Sequence, residues 1–251
     1  MTDHVLIEHP DDMPHVQVIR FNRPEKKNAI TRAMYLSMTE ALQAADENQS
    51  VRVTVFLGTE GCFSAGNDMA DFMAFAMGGA MGTEAMDFLN ALASARKPLV
   101  SGVDGLAIGI GTTIHMHCDL TIASHRSVFN TPFVDLALVP EAASSLIAPR
   151  IMGHQRAFAL LAAGETFSAA EAKESGLIWH VTTPEAVEKE TLAAAAKLAA
   201  KPPEALRIAR DLIRGSREDI IARIHDESVH FEAQLRSAEA RTAFEVFMKR
   251  K

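Results

Sequence analysis

The chain has 251 residues, 48% of them hydrophobic, and a net charge of −7, which suits one large domain or one domain with an appendage. The negative charge argues against a nucleic-acid partner, and charged residues or histidines interrupt every apolar run before it reaches membrane-spanning length. Two cysteines are too few for a disulfide framework, and the ends resemble neither a secretory leader nor a peroxisomal signal, so we expect a cytoplasmic protein without a membrane partner.

The first half of the chain alternates strand and helix patterns. Alternating valines predict a half-buried strand over residues 15–21, and a β-branched run predicts a more buried strand over residues 51–58. Between them, residues 31–45 are rich in helix formers, and Thr31 is placed to cap the helix. Further on, the sequence predicts a buried strand at 98–105, a short helix at 112–117 and a strand at 120–123.

The composition changes from about Leu146 onward, where the chain becomes rich in Ala, Leu, Glu and Arg and is predicted to be mostly helical. Residues 177–182 are the strand-like exception, and Pro203 is suited to begin a helix. The stretch AMGGAMGTE, residues 76–84, is predicted to be a mobile loop. Alternating strands and helices favour a layered α/β core, followed here by a helical region.

Two glycine-containing turns follow predicted strands. FSAGNDM (residues 63–69) comes after the strand at 51–58, and GLAIGIGTT (residues 105–113) comes after the strand at 98–103. Where a strand ends and a helix begins, a pair of unpaired backbone N–H groups can hold a carbonyl oxygen that becomes anionic. Judged alone, each turn is better explained as a tight turn that requires glycine.

Motifs for cofactors and metals are absent from the sequence. Gly109-Ile110-Gly111 is not followed by the third glycine of a dinucleotide fingerprint, and there is no Walker lysine. His115 and His117 are two residues apart, which places them on different faces of a helix. We therefore expect neither a metal nor a separate cofactor.

Glu141 stands alone in the stretch ALVPEAASS, after Pro140. A carboxylate in apolar surroundings should have a raised pKa, which suits proton transfer near neutral pH. The other interpretation is a first-turn glutamate that caps the following helix, and the residues alone leave both open. Asp68 and Asp135 are ambiguous in the same way, and for Asp68 the residues favour a helix terminus.

Together these stretches resemble the crotonase (enoyl-CoA hydratase/isomerase) superfamily. The resemblance is carried by residues 21–31, 61–69, 103–124, 129–145 and 167–181. It implies an α/β fold, a crotonase-like spiral of ββα units over residues 1–190 with a C-terminal helical trimerisation region over 191–251. It also implies a homotrimer or hexamer and an acyl-CoA thioester substrate, so that CoA is part of the substrate.

The resemblance assigns roles to particular residues. It places the oxyanion hole at the backbone N–H groups of Asn67 and Ile110. The two glutamates of typical hydratases correspond to Thr113 and Phe133 here, neither of which carries a proton. Glu141 matches the catalytic glutamate of the peroxisomal-type delta-3,delta-2-enoyl-CoA isomerases, and bacterial proteins of this type are cytoplasmic. The resemblance therefore favours isomerisation over hydration.

The resemblance also implies a CoA site, and the methionine-rich run indicates an acyl pocket. The CoA end of the substrate is expected at Lys27, Ala29 and Ala65, with Phe247 and Lys249 covering it from the same or a neighbouring subunit. The acyl pocket is expected in the methionine-rich run from Met69 to Met86, which suits adaptable apolar packing, and includes Met69, Phe72 and Phe133.

Three alternatives remain at this point. The first is an enoyl-CoA hydratase in which Glu141 and an ordered water replace the paired glutamates. The second is a non-catalytic acyl-CoA-binding scaffold. The third is a thioesterase or decarboxylase of the same superfamily.

Overall fold

The computed structural model describes residues 2–76 and 82–249, without the side chains of residues 72, 74–76 and 248. Its strands are β1 (Val5–Glu8), β2 (Val16–Phe21), β3 (Val53–Leu57), β4 (Cys62–Ser64), β5 (Leu99–Val103), β6 (Leu106–Ile108), β7 (Leu120–Ser124), β8 (Val128–Asn130), β9 (Phe167–Ser168) and β10 (His180–Thr182). Its helices are α1 (Arg32–Glu47), α2 (Met69–Ala76), α3 (Glu84–Ser94), α4 (Ile110–Thr113), α5 (Ser144–Leu161), α6 (Ala169–Ser175), α7 (Val187–Ala199), α8 (Pro203–Arg214), α9 (Arg217–Leu235) and α10 (Ala238–Lys249). Short 3-10 turns occur at Pro24–Lys26, Ile114–His117 and Val134–Leu136.

The strands form two sheets. The larger has the order β1-β2-β3-β5-β7-β10 and is parallel except for β1 at its edge. The smaller has the order β4-β6-β8-β9, and β4, β6 and β8 are parallel. Each of β3, β5 and β7 is followed by a short strand of the smaller sheet and then by a helix. This repeat is the predicted spiral of ββα units.

The longer predicted elements are confirmed, but the prediction of two strands leading directly into glycine turns is wrong. Each turn follows a three-residue strand, β4 or β6, of the smaller sheet. Strands this short contain too few residues to show an alternating hydrophobic pattern. The predicted helix ends are more accurate, since the Thr31 side chain accepts a hydrogen bond from the Met34 N–H at 3.4 Å and Pro203 begins α8.

The core lies on both faces of the larger sheet. On one face, phenylalanines and methionines from the strands and from α1 and α3 are fully buried, among them Phe21, Phe56, Phe88, Met34 and Met38. Each such side chain contributes about 1.5–3 kcal/mol through burial. On the other face, valines of β2, β3 and β5 pack against alanines of α7.

The expected domain boundary at residue 190 lies inside α7, a helix that contacts β3, β5 and β7. The later helices α8, α9 and α10 follow this core helix in the chain. The division into a spiral core and a helical region for oligomerisation stays a prediction. In the described ranges no helix has the length and apolar character needed to cross a bilayer.

Candidate active site

The two glycine turns contact each other. They follow β4 and β6, which are adjacent parallel strands and end at the same edge of the smaller sheet. Gly66 has a φ of +87° and Gly109 a φ of +57°, in the region that favours glycine. A Cβ added to Gly66 would lie 2.8 Å from the Ile108 carbonyl oxygen, and one added to Gly109 would lie 4.0 Å from the Gly66 Cα. The close approach of the turns therefore depends on Gly66.

Asn67 and Ile110 each follow one of these glycines. Hydrogen bonds from Ile30 N to Gly66 O (2.8 Å) and from Asp68 N to Ile30 O (2.9 Å) bracket Asn67 without using its own N–H. Ile110 is the first residue of α4, where a helix leaves N–H groups unpaired. Within residues 2–76 and 82–249, neither N–H donates a hydrogen bond. Two such donors can hold an oxygen that becomes anionic during a reaction.

Glu141 does not cap a helix. Helix α5 begins at Ser144, with Ala143 in the capping position, so Glu141 lies before the helix. Ala142 and Ala143 have φ values of 60° and 55°, a left-handed conformation that costs a non-glycine residue about 1–2 kcal/mol. The segment from residue 139 to 145, called the Glu141 loop below, is thus strained immediately after the glutamate.

The Glu141 carboxylate lies in the wall of a cavity of about 500 Å³. The Thr113 hydroxyl donates a hydrogen bond of 2.6 Å to Glu141 Oε1. Burial raises the pKa of Glu141 to about 8, the Thr113 hydrogen bond opposes this shift, and the negative charge of Glu227 adds to it. A carboxyl group with this pKa can accept and return a proton near neutral pH.

The cavity combines apolar walls with a few polar groups. The Tyr35 hydroxyl donates a hydrogen bond of 2.6 Å to Asn67 Oδ1, and burial together with Glu141 holds the pKa of Tyr35 well above its usual value. Glu232 and Arg236 also line the cavity and form an ion pair of 2.9 Å with half-exposed side chains. The other described residues that line it are Gly82, Thr83, Ala85, Met86, Leu89, Ala142, Ile224, Ser228 and Phe231.

Glu227, on α9, supports the Glu141 loop, and the sequence reasoning missed it. Its carboxylate accepts hydrogen bonds from Ala143 N at 2.6 Å, Ser145 N at 3.0 Å and Ser145 Oγ at 2.5 Å. Only 6% of Glu227 is exposed. The sequence contains a signal for it, because a glutamate interrupts the buried stripe Ile220, Ile224, Glu227, Phe231 and Leu235.

The sequence profile described as Enoyl-CoA hydratase/isomerase matches residues 13–251. The chain belongs to the enoyl-CoA hydratase/isomerase family.

Two curated members of this family illustrate its range. Enoyl-CoA delta isomerase 2 of Rattus norvegicus is 36% identical over 240 residues, which cover 93% of this chain and 61% of the isomerase. The chain thus spans about three fifths of that relative's length. A probable enoyl-CoA hydratase of Rhizobium meliloti (strain 1021) is 32% identical over 223 residues, covering 88% of this chain and 84% of the relative.

The fold is also that of solved structures in this family. The chain superimposes on Pseudomonas aeruginosa OdaA with a TM-score of 0.92 and 35% identity, covering 98% of this chain and 99% of OdaA. This likeness confirms the predicted crotonase-like fold.

Three of the residues expected at the CoA site lie beside the first glycine turn. The Ala65 N–H donates to the Lys27 carbonyl oxygen at 2.9 Å, and Arg23 Nη1 donates to the Ala29 carbonyl oxygen at 2.9 Å. Lys27 is exposed. Ala29 also precedes Ile30, which pairs with Asn67, and contact of these three residues with CoA stays a prediction.

Phe247 and Lys249 lie elsewhere in this chain, on α10. Phe247 lines a second cavity, of about 840 Å³, together with Pro132 and Leu136, and Glu141 is not part of its wall. Within one chain, these two residues are therefore not brought to the site. Their contribution from a neighbouring subunit stays a prediction.

The expected acyl-pocket residues are divided. Met69 is partly buried at the start of α2 and Phe133 is buried in the core, and neither lines the cavity that contains Glu141. The side chain of Phe72 lies outside the described residues. From the run Met69–Met86, the cavity is lined by Gly82, Thr83, Ala85 and Met86. Met77 and Met81, with most of the predicted loop at 76–84, lie outside the described residues.

The remaining polar candidates have structural partners. Asp68 precedes α2 and accepts hydrogen bonds from Ala70 N (2.9 Å) and Arg23 Nη1 (2.6 Å), as favoured for a helix terminus. Burial lowers the pKa of His115 to about 3 and of His117 to about 4, so both are neutral. Asp135 lies in the 3-10 turn and lines the second cavity. In the described part of the chain, no three His, Cys, Asp or Glu side chains are grouped as metal ligands.

Proposed function

We propose that the protein converts 3-enoyl-CoA thioesters into trans-2-enoyl-CoA thioesters and that Glu141 carries the proton. The observation that supports this most strongly is the surroundings of Glu141. Its carboxyl group has a pKa of about 8, lies in the same cavity as Asn67, and has a threonine rather than a second carboxyl group as its hydrogen-bond partner. One proton carrier is sufficient for isomerisation.

The proposed reaction moves one proton and one double bond. The Glu141 carboxylate removes a proton from C2, and the electrons of that C–H bond delocalise into the thioester carbonyl as a dienolate. The protonated Glu141 then gives the proton to C4, so that the C3–C4 double bond becomes a C2–C3 double bond. The N–H groups of Asn67 and Ile110 would hold the dienolate oxygen, and loss of one such donor typically costs about 3–4 kcal/mol of transition-state stabilisation.

Hydration would require more of the site. A water molecule must be activated on one side and a proton delivered on the other, normally by two positioned groups. Thr113 and Phe133 occupy the positions at which the resemblance expects the hydratase glutamates. Glu232 also lines the cavity, but its half-exposed carboxylate is paired with Arg236.

The proposal extends to assembly and location. The protein would work in the cytoplasm, in fatty-acid metabolism, as a homotrimer or a pair of trimers. CoA would bind along Lys27, Ala29 and Ala65, and Phe247 and Lys249 of a neighbouring subunit would cover it.

Product analysis with two substrates tests the proposal. Purified wild-type protein, Glu141→Gln and Glu232→Gln are each supplied with 3-hexenoyl-CoA and with crotonyl-CoA. We expect wild type to isomerise 3-hexenoyl-CoA and to hydrate crotonyl-CoA only slowly. Isomerisation should fall about 10²–10⁴-fold in Glu141→Gln and less than about tenfold in Glu232→Gln, because an exposed ion pair contributes little.

Two outcomes would overturn the proposal. Fast hydration of crotonyl-CoA that is lost in Glu141→Gln, without isomerisation, would identify a hydratase. Turnover of neither thioester by any of the three proteins, with binding of both thioesters retained, would identify an acyl-CoA-binding scaffold. Thermal unfolding of each variant shows whether a loss of activity reflects a loss of folding.

A further inference from the structure

The Glu141 loop is held in its strained conformation by two buried side chains from other elements. His117 Nε2 is 2.8 Å from the Ala142 carbonyl oxygen, and the Glu227 carboxylate accepts from the Ala143 N–H at 2.6 Å. Ala142 and Ala143 are the two left-handed residues that follow Glu141. Because that conformation is unfavourable for alanine, it persists only where the surroundings hold it.

Glu227 accepts further hydrogen bonds besides the one from the Ala143 N–H. It reaches across from α9 to the first turn of α5, 82 residues earlier in the chain, and also accepts the N–H and hydroxyl hydrogens of Ser145. Arg223 lies one turn earlier on α9 and donates to Ser145 Oγ at 3.2 Å. Three donors directed at one carboxylate favour its ionised form and oppose the burial that raises the pKa of Glu227.

We propose that Glu227 is a positioning residue for Glu141, which fixes the loop through Ala143 and Ser145 and places a negative charge beside the proton carrier. This inference rests on the proposed function, because it concerns the group that transfers the proton there. It adds a second glutamate to the site, one that touches neither the substrate nor the reacting atoms.

The charged and titratable groups around Glu141 are consistent with this role. Thr113 on α4 donates to Glu141, Tyr35 on α1 stays protonated, and His117 is neutral. Glu232, also on α9, lines the same cavity but is paired with Arg236. Glu227 is the glutamate whose negative charge raises the pKa of Glu141, because a like charge disfavours the ionised form. Arg223 faces Glu227 and partly offsets that charge.

A Glu227→Gln variant separates positioning from mere helix capping. The amide keeps the size of the side chain but removes the charge and directs an NH₂ group at the loop. We expect the pKa of Glu141 to fall, because the like charge is removed, and the isomerisation kcat at high pH to fall about three- to tenfold, with KM changed less than about twofold. Glu218→Gln, an exposed glutamate in the first turn of the same helix, should change neither quantity.

Two measurements keep this test separate from the proposed function. Carbon-13 NMR titration of glutamate carboxyl groups, with Glu141→Gln used for assignment, gives the pKa of Glu141 without substrate. The pH profile of 3-hexenoyl-CoA isomerisation gives it during turnover. A shifted NMR titration without isomerase activity would reject the proposed reaction and retain the coupling of the two glutamates.

The inference fails if Glu227→Gln lowers the thermal midpoint but leaves the titration of Glu141 where it is in the wild type, because Glu227 would then be only a cap. If Glu227→Gln does not fold, Arg223→Gln provides a test of opposite sign. Removing the cation that faces Glu227 should move the pKa of Glu141 upward, and an unchanged titration there would equally overturn the proposal.

Discussion

The Glu141 loop and helix α9 each bring one buried glutamate to the same region, and the two carboxyl groups differ in how completely they are hydrogen-bonded. Glu227 accepts from two backbone N–H groups and one hydroxyl, whereas Glu141 accepts from one hydroxyl, that of Thr113, among the described residues. Burial raises the pKa of both. A carboxylate whose lone pairs are used stabilises a structure, and one with a free lone pair facing a cavity is available for chemistry.

Removal of Glu227 should produce the largest change in stability. Glu227→Ala leaves the N–H groups of Ala143 and Ser145 without their acceptor, and each buried unpaired donor costs about 1–3 kcal/mol. We therefore expect the free energy of unfolding to fall by about 2–4 kcal/mol. Chemical denaturation measures this change in the free energy of unfolding. The protein concentration is kept fixed, because association also affects stability.

A matched control lies on the same helix. Glu232→Ala removes a half-exposed carboxylate that is paired with Arg236 at a distance of four residues. Such pairs contribute about 0.3–0.5 kcal/mol, so its effect should be several times smaller. Equal losses in the two variants would contradict the view that hydrogen bonding to the loop distinguishes Glu227.

Removal of the charge on Glu141 should raise the free energy of unfolding, whereas Glu227→Ala should lower it. The pKa of Glu141 is about 8 in the folded protein against a usual value of 4.5. Its contribution to stability is therefore fully present below about pH 4.5 and is lost as the pH rises through 8. The pKa shift sets an upper bound of about 5 kcal/mol on this contribution to the free energy of unfolding. Because Glu141 is partly exposed, we expect a contribution of about 2 kcal/mol.

Glu141→Gln should accordingly be more stable than the wild type at pH 9 and of similar stability at pH 5. Thermal midpoints of both proteins across this range measure the difference. A constant difference at all pH values would show that Glu141 titrates normally, and a lower stability of the variant at pH 9 would show that the ionised group is stabilised by the fold.

The sequence locates the part of the site that depends on local structure. Gly66 and Gly109 mark backbone conformations that few other residues adopt, and Glu141 is a lone carboxylate in an apolar stretch, so each is visible in its own segment. In the sequence, Thr113 stands out only as the absence of a hydratase glutamate. Its hydrogen bond to Glu141 depends on how α4 packs beside the Glu141 loop, and no local pattern encodes it.

Features that depend on contacts between distant parts of the chain are harder to predict from the sequence. Glu227 reaches Ala143 across 84 residues, and its role becomes visible once α9 is packed against α5. The short strands β4 and β6 depend on pairing with each other rather than on their own three residues. The cavity likewise joins α1, α3 and α9, which are separated along the sequence.

Substitution of Thr113 should produce the smallest and most specific of these effects, a change in the pKa of Glu141. Its hydroxyl donates to Glu141 at 2.6 Å and stabilises the ionised form, in opposition to burial. Thr113→Val keeps the shape of the side chain and removes the donor, which should raise the pKa of Glu141 above 8. One hydrogen bond to a charged group contributes about 1.5 kcal/mol, which corresponds to about one pKa unit.

The rising limb of the pH–rate profile for 3-hexenoyl-CoA isomerisation should therefore move to higher pH in Thr113→Val, with activity at pH 7 reduced about tenfold. Thr113→Ser retains the hydroxyl and should keep the profile near that of the wild type. A profile that moves equally in both variants would trace the effect to packing around α4. A profile that moves in neither would mean that burial and Glu227 set the pKa of Glu141 without help from its one hydrogen-bond donor.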